Sequence, residues 1–145
     1  MNIEIREQSF NAYEELQTYE QGMQERNKIG ACANFIGAMR DVNDGQQVTS
    51  MTLEHYEGMT EKQLEEICEE AKDKWKLIDI LILHRVGKIK ITDHIVLVGV
   101  WSQHRKEAFE ACRFIMEYLK SKAPFWKKEN TVNGERWVES NTKGY

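Results

Sequence analysis

Two short apolar runs constrain the fold of this chain more than any other feature of its sequence. Leu77–Val86 and Ile95–Trp101 each have the length of a β-strand, and both are mostly apolar. Neither reaches the ~18 to 20 residues that a membrane-spanning helix requires. A strand that is apolar on both faces must be covered on both faces, so we expect the two runs to be central, buried strands.

Further strands and three amphipathic helices are predicted around these runs. The helices are expected at 10–25, 60–75 and 103–121, and the other strands at 2–7, 29–39, 48–56, 87–91, 125–129 and 136–139. Thr60 is expected to cap the second helix, and Pro124 to end the third. Turn residues at 41–45 and the Asn133-Gly134 pair predict hairpins. Because this order mixes hairpins with crossover helices, it predicts an α+β fold with a mixed sheet.

Length and cysteine content indicate a single domain in a reducing compartment. The 145 residues suffice for one core, so we expect one domain over 1–145, with the order of a 130–145 tail left open. The N-terminus lacks the basic and apolar regions of a secretory signal. Cys32, Cys68 and Cys112 are odd in number and far apart, which favours buried, reduced thiols. A cytoplasmic protein is therefore expected.

The charge of the chain is unevenly distributed. The formal net charge is −4, which argues against a general binder of nucleic acid or of anionic membranes. Residues 101–128, however, contain seven cationic and only three anionic side chains. A basic segment in an acidic chain indicates a local anion site. The alternative is a solvated helix face with pairs such as Arg113 and Glu117, and charge alone does not separate the two.

Three cationic or titratable residues crowd the predicted start of the third helix. His104, Arg105 and Lys106 lie where the helix dipole disfavours positive charge by ~0.3 to 1 kcal/mol each. A bound phosphate or carboxylate would compensate, held by the helix end and by Arg105. The alternative is that His104 and Arg105 pair with acidic neighbours at the surface.

A second basic cluster follows the same helix. Lys120 near the helix C-terminus is what the dipole favours, so its position alone is uninformative. Strand alternation after Pro124 is expected to place Phe125 and Lys127 on one face, and Trp126 and Lys128 on the other. A lysine flanked by aromatic residues and other cations can have a lowered pKa and act as acid, base or nucleophile. It can equally be a solvated edge-strand lysine.

No metal or cofactor is predicted. His55, His84 and His94 lack the companions of a metal-binding motif. The chain has neither a GxGxxG nor a GxxxxGK[ST] loop to hold a nucleotide phosphate. No serine or cysteine lies in a recognisable nucleophile-elbow motif.

Several segments together resemble the catalytic, large-subunit family of molybdopterin synthase. The matching segments are 35–40 (FIGAMR), 53–59 (LEHYEGM), 84–87 (HRVG), 98–100 (VGV), 104–105 (HR) with 108–111 (AFEA), 118–120 (YLK), 123–129 (APFWKKE) and 136–137 (RW). The resemblance implies an α/β hammerhead fold with an additional β-rich part. It also implies a homodimer within a heterotetramer, with one small ubiquitin-like subunit at each end.

The reaction that the resemblance implies is a sulfur transfer. In that family the C-terminal Gly-Gly thiocarboxylate of the small subunit enters a pocket of the large subunit. Two rounds of transfer then convert cyclic pyranopterin monophosphate into the dithiolene of molybdopterin. The alternative, of another class, is a non-catalytic dimeric scaffold that binds the ubiquitin-like carrier without turnover.

The resemblance also assigns roles to individual residues. It implies that Lys120 and Lys127 are required for chemistry. The substrate-binding positions that it implies are Ala38, Met39, Arg40, His104, Arg105, Lys120, Lys127, Lys128 and Glu129. Members of the family often carry lysine where this chain has Ala38, so one cation of the pocket is absent or replaced. Ala38 therefore favours the scaffold hypothesis, whereas the two intact lysines favour the enzyme.

Overall fold

A computed structural model describes residues 1–43 and 45–138 of the chain, without the side chains of residues 42 and 43. In the described part, three α-helices and nine strands follow one another as β1 (Asn2–Arg6), α1 (Ala12–Gln21), β2 (Ala31–Ala38), β3 (Val42–Asn43), β4 (Gln46–His55), α2 (Met59–Lys74), β5 (Asp79–Arg85), β6 (Gly87–Lys90), β7 (His94–Ser102), α3 (Arg105–Ser121), β8 (Phe125–Thr131) and β9 (Gly134–Trp137). A single 3-10 turn, Arg26–Lys28, precedes β2.

The first sheet has the strand order β1-β5-β7-β2. β1 runs parallel to β5, while β5 and β2 both pair with β7 in antiparallel fashion, so the sheet is mixed. The two apolar runs form β5 and β7, and Ile80, Ile82, Val98 and Val100 within them are fully buried. Their predicted central position is confirmed.

Helices cover both faces of this sheet. On one face, α2 and α3 pack their apolar stripes, including Leu64, Cys68, Cys112 and Ile115, against β5 and β7. On the other face, α1 packs over an apolar cluster centred on Trp101. The stripe of α3 repeats every three or four residues, the period that keeps one side of a helix against a sheet.

A second, antiparallel sheet stands beside the first. Its order is β3-β4-β8-β9, and β6 also pairs with β4. Its own apolar cluster contains Met39, Val48, Met51, Leu53 and Ile89. The predicted α+β class, with a mixed sheet and an additional β-rich part, is confirmed.

Some local predictions are corrected by the structure. The strand before the 41–45 turn, β2, belongs to the first sheet, so only the two-residue β3 forms a hairpin with β4. Thr60 is not the cap of α2: Gly58 is, and the Glu61 carboxylate accepts a hydrogen bond from its N–H at 2.9 Å. The last hairpin turns one residue earlier than predicted, because Thr131 pairs with Gly134.

The exposure of one cysteine differs from the prediction, and part of the predicted C-terminal tail is ordered in strands. Cys68 and Cys112 are buried, but Cys32 is exposed because β2 is an edge strand and this position faces outward. Of the predicted tail, residues 130–138 complete β8 and form β9, and residues 139–145 lie outside the described residues. Among the described helices, none has the length and apolarity to cross a membrane.

Candidate functional site

A cleft of about 330 Å³ opens where the two sheets meet. Its walls come from the end of β2, the last turn of α3 and the middle of β8. We call it the lysine cleft, and its polar lining residues are Arg40, Lys120, Lys127 and Glu129, beside Ala38 and Met39. Residues that are separated by some 80 positions in the chain therefore share one cavity.

The segment that carries Arg40 is held by backbone hydrogen bonds. A register shift between Gly37 and Ala38 ends the regular pairing of β2 with β7. Beyond it, the Met39 N–H donates to the Asp93 carbonyl at 2.9 Å, and the Met39 carbonyl accepts from the Thr92 N–H at 2.8 Å. These two bonds fix the backbone next to Arg40, whose side chain is exposed at the mouth of the cleft.

Lys120 reaches the lysine cleft from the last turn of α3. Its neighbours Met116 and Leu119 are buried against the first sheet, which turns this end of the helix toward the cavity. Burial lowers the pKa of Lys120 to about 8, and the nearby charge of Lys127 contributes to the shift. Lys120 therefore loses its proton more easily than an ordinary lysine, while it stays mostly charged at neutral pH.

Lys127 enters the same cavity from β8. Alternation along this strand directs Lys127 and Glu129 into the cleft, as predicted for the face shared with Phe125. Burial lowers the pKa of Lys127, and the charge of Arg40 lowers it further, while Glu129 opposes the shift. Glu129 is only 4% exposed and pairs with Arg136 at 3.1 Å, so it is a fixed negative charge at this wall.

Lys128 lies on the opposite face of β8. Its ammonium forms an ion pair with Glu135 at 2.8 Å and lies 5.6 Å from the ring centroid of Trp137. The hydrogen bond that the ammonium donates to Glu135 raises the pKa of Lys128. Within one chain, Lys128 is therefore not brought into the lysine cleft.

His104 and Arg105 lie at the other end of α3 from Lys120. They border a separate, open depression together with Gly30, Gln103 and Lys106. Arg105 begins the 17-residue helix that ends beside Lys120, so about 20 to 25 Å of helix separates the two groups. One chain by itself does not bring His104 and Arg105 to the cleft.

The first turn of α3 contains one carboxylate, Glu107, but within the described ranges no ion pair joins it to the cationic helix start. The ion pairs that these ranges contain do not include His104, Arg105 or Lys106. The His104 side chain caps no backbone N–H of α3. The alternative of surface pairing with acidic neighbours thus finds no support here, and the group keeps its capacity to bind an anion.

The buried His84, for which the sequence predicted no role in the site, lies directly behind the two lysines. His84 is 8% exposed, and its ring stacks on Phe125 at a centroid distance of 3.8 Å. Strand periodicity would have placed it on a face of β5, but only the packing of α3 and β8 brings it beside Lys120 and Lys127. In residues 1–43 and 45–138, no group of three or more His, Cys, Asp or Glu side chains could hold a metal ion.

The arrangement suits chemistry on anions. Two partly buried lysines and an arginine give a concentrated positive field in one cleft, and the partial burial strengthens their interaction with negative charge. Lysines whose pKa is lowered toward neutrality can also give up and take back a proton during a reaction.

Comparison with known proteins gives consistent results. A family model described as MoaE protein matches residues 5–122. The molybdopterin synthase catalytic subunit of Ralstonia nicotianae is 54% identical over 138 residues, covering 95% of this chain and 77% of the relative. The molybdopterin biosynthesis MoaE protein from Burkholderia ambifaria has a TM-score of 0.79 at 45% identity, covering 98% of this chain and 91% of that one. For molybdopterin synthase from Staphylococcus aureus the TM-score is 0.82 at 33% identity, covering 93% and 95%.

Proposed function

Since the chain belongs to the MoaE protein family, its activity is that of a molybdopterin synthase catalytic subunit, a sulfurtransferase of molybdenum cofactor biosynthesis, and we propose that the transfer takes place in the lysine cleft. The resemblance read from the sequence is confirmed. The observation that carries the placement is that Lys120 and Lys127, from α3 and β8, line one cavity with Arg40.

The proposed substrates are both anionic. We propose that the lysine cleft receives cyclic pyranopterin monophosphate together with the C-terminal thiocarboxylate of the partner, a small ubiquitin-like subunit. Arg40 at the mouth would bind negative charge on the substrate, and Ala38, Met39 and Glu129 would line its pocket. Two negative groups repel each other in solution, and a shared cationic cavity offsets that repulsion.

Lys120 and Lys127 would act on the reacting atoms. Once the carrier's sulfur is bonded to the pterin, water adds to the acyl carbon and gives a tetrahedral species that carries negative charge on oxygen. Its collapse breaks the C–S bond, leaves the sulfur on the pterin and releases the carrier as a carboxylate, and a nearby ammonium stabilises the oxyanion. The lowered pKa of Lys120, about 8, also allows this side chain to move a proton at physiological pH. The cleft is positively charged even without a lysine at position 38, because Arg40 also lines it.

We further propose that a second copy of the chain completes the site. His104 and Arg105 form an anion-binding group about 20 to 25 Å along α3 from Lys120. A homodimer within a heterotetramer would carry these residues to the lysine cleft of the neighbouring copy, where they would hold the phosphate. Lys128, on the outer face of β8, is the other predicted binding residue that needs such an assembly. The cytoplasmic location remains part of this proposal.

A reconstitution experiment tests the proposal. The purified chain is mixed with a thiocarboxylated carrier subunit and cyclic pyranopterin monophosphate, and dithiolene product is measured. We expect product that depends on all three components. An intact complex that binds the carrier but forms no dithiolene would contradict the proposal and support a scaffold.

A further inference from the structure

A small void lies behind the two lysines, and His84 forms one of its walls. The void measures about 40 Å³, and its polar lining residues are His84, Lys120 and Lys127. The rest of the lining is apolar and includes Leu53, Ile95, Val96, Met116, Leu119, Ala123 and Phe125. A volume of this size admits an ordered water, and the three polar side chains supply its hydrogen-bonding partners.

Two contacts fix the His84 ring in one orientation and one tautomer. Nδ1 lies 2.8 Å from the carbonyl oxygen of Arg85. Because a carbonyl only accepts hydrogen bonds, Nδ1 must carry the proton and donate it. The ring also stacks on Phe125, with 12° between the two ring planes, which restricts rotation of the ring. Nε2 is therefore the nitrogen that keeps a lone pair.

Burial and the charges around His84 keep it neutral. Burial is the main cause that disfavours a positive charge on the ring, and Lys120 of α3, Lys127 of β8 and His55 of β4 disfavour it further. Together they lower the pKa of His84 to about 3, although the bond to the Arg85 carbonyl acts in the opposite direction. At physiological pH, His84 is thus a neutral acceptor beside two ammonium groups.

We infer that His84 is a positioning residue for the reacting lysines, and that its Nε2 accepts a hydrogen bond from the Lys120 ammonium, directly or through one water in the void. This inference rests on the proposed role of Lys120 in sulfur transfer. His84 acts through the lysine and does not touch the substrate. A hydrogen bond to the charged form favours that form, so His84 opposes the loss of charge that burial imposes on Lys120. It also holds the flexible lysine side chain in one place.

The unaltered protein offers the first test. Long-range proton–nitrogen NMR spectra of the whole chain report which ring nitrogen of His84 is protonated. We expect a proton on Nδ1 and none on Nε2, with the Nε2 signal shifting as Lys120 titrates near its pKa of about 8. The opposite tautomer would make Nε2 a donor and would overturn the inference.

A matched pair of variants separates positioning from a structural role. In His84→Asn the side-chain amide can replace Nδ1 and still donate to the Arg85 carbonyl, but nothing reaches the position of Nε2. In His84→Gln the longer side chain places a polar atom near the position of Nε2 and gives up the bond to Arg85. The readouts are thermal unfolding, the pKa of Lys120 by NMR and the pH profile of single-turnover sulfur transfer.

The two variants are expected to differ in a fixed order. His84→Asn should lower the pKa of Lys120 by about half a unit or more and slow transfer about tenfold at neutral pH, while His84→Gln recovers most of both. The reverse order, equal losses, or an unchanged lysine pKa in both would contradict the inference. Should neither variant fold, the tautomer of the unaltered protein decides. If the unaltered protein transfers no sulfur, the proposed function fails, whereas the tautomer and the lysine pKa still test the role of His84.

Discussion

Lys120 and Lys127 place two positive charges in one partly buried cavity, which is unfavourable in the absence of a ligand. Burial is the largest cause of the lowered pKa of each, and the neighbouring cations Lys127 and Arg40 add to it. Glu129 offsets part of the repulsion but is itself paired with Arg136. An anionic substrate bound in the cleft, as proposed, would relieve this repulsion, so the free energy that the repulsion costs the empty protein would add to the binding free energy.

The first prediction concerns these two lysines. Lys120→Ala and Lys127→Ala should each slow single-turnover sulfur transfer by about 100-fold or more, because each removes a charge that stabilises the reacting groups in the proposed reaction. Circular dichroism should show an intact fold. Lys122→Ala is the matched control, since Lys122 is exposed just after α3 and does not line the cleft. Near-normal rates in both cleft variants would refute their assignment.

The second prediction concerns stability and pH. The pKa of Lys120 is about 8 in the folded protein, against an ordinary value of 10.5, so between these values the unfolded chain binds more protons. The free energy of unfolding contributed by Lys120 therefore rises from pH 8 to pH 10.5. Lys120→Met, which cannot titrate, should be more stable than the unaltered protein at pH 7, and this advantage should shrink by about 1 to 3 kcal/mol at high pH.

Urea unfolding of both proteins at neutral and alkaline pH measures this difference. An advantage of Lys120→Met that stays constant with pH would mean that the folded protein does not depress the pKa of Lys120. The same experiment on Lys122→Met serves as the control, because an exposed lysine has little desolvation to lose.

At the scale of elements, the start of β2 and the end of β7 approach very closely. The Gly30 N–H donates to the Ser102 carbonyl at 3.0 Å, which extends the β2–β7 pairing by one bond. A Cβ at position 30 would lie 2.0 Å from the Gln103 carbonyl oxygen, a backbone atom that cannot move aside cheaply. Glycine at this position therefore allows β2 to remain beside β7 and the start of α3.

The third prediction follows from this contact. Gly30→Ala should lower the free energy of unfolding by about 2 kcal/mol or more, because it separates β2 from β7. Gly22→Ala is the matched control: its Cβ would meet only ordinary contacts at 3.6 and 3.7 Å, and its φ is −86°. We expect that control to stay within about 0.5 kcal/mol of the unaltered protein. Equal free energies of unfolding of the two variants in urea would contradict a tight contact between position 30 and the Gln103 backbone.

At the scale of the whole molecule, α3 connects the two cationic regions and keeps them apart. Its stripe of buried residues holds it rigidly against the first sheet, so bending within one chain cannot bring Arg105 to Lys120. If both regions serve one substrate, they must come from different copies. In a symmetric dimer, each of two equivalent sites would then take residues from both chains.

The fourth prediction uses mixed dimers. Arg105→Ala and Lys127→Ala chains should each be inactive alone, yet a one-to-one mixture that has exchanged subunits should recover about a quarter of the sites. Half of the dimers would then be mixed, and each of those would carry one site with both residues intact. Sulfur transfer by the mixture measures the recovery. If Arg105 acted within its own chain, every site would lack one residue and no activity would return.

Much of the fold could be predicted because its signals are local. The apolar runs of β5 and β7, the stripe of α3 and the alternation along β8 all depend on neighbouring residues, and strand and helix periods express them directly. Pairing is not local: the pattern of β2 fits a hairpin with β4 as well as its actual partner β7, and only the burial of both sheets decides between them.

Some features of the candidate site likewise follow from the sequence, and others only from the tertiary structure. The sequence by itself determined which residues carry the charge, that Lys127 and Lys128 face opposite ways, and which family the chain resembles. Only the tertiary structure decided that Lys120, Lys127 and Arg40 share one cleft, that His84 lies behind them, and that His104 and Arg105 lie elsewhere. The physical reason is that charge and periodicity are properties of a segment, whereas burial and the pKa of a lysine depend on which segments pack together.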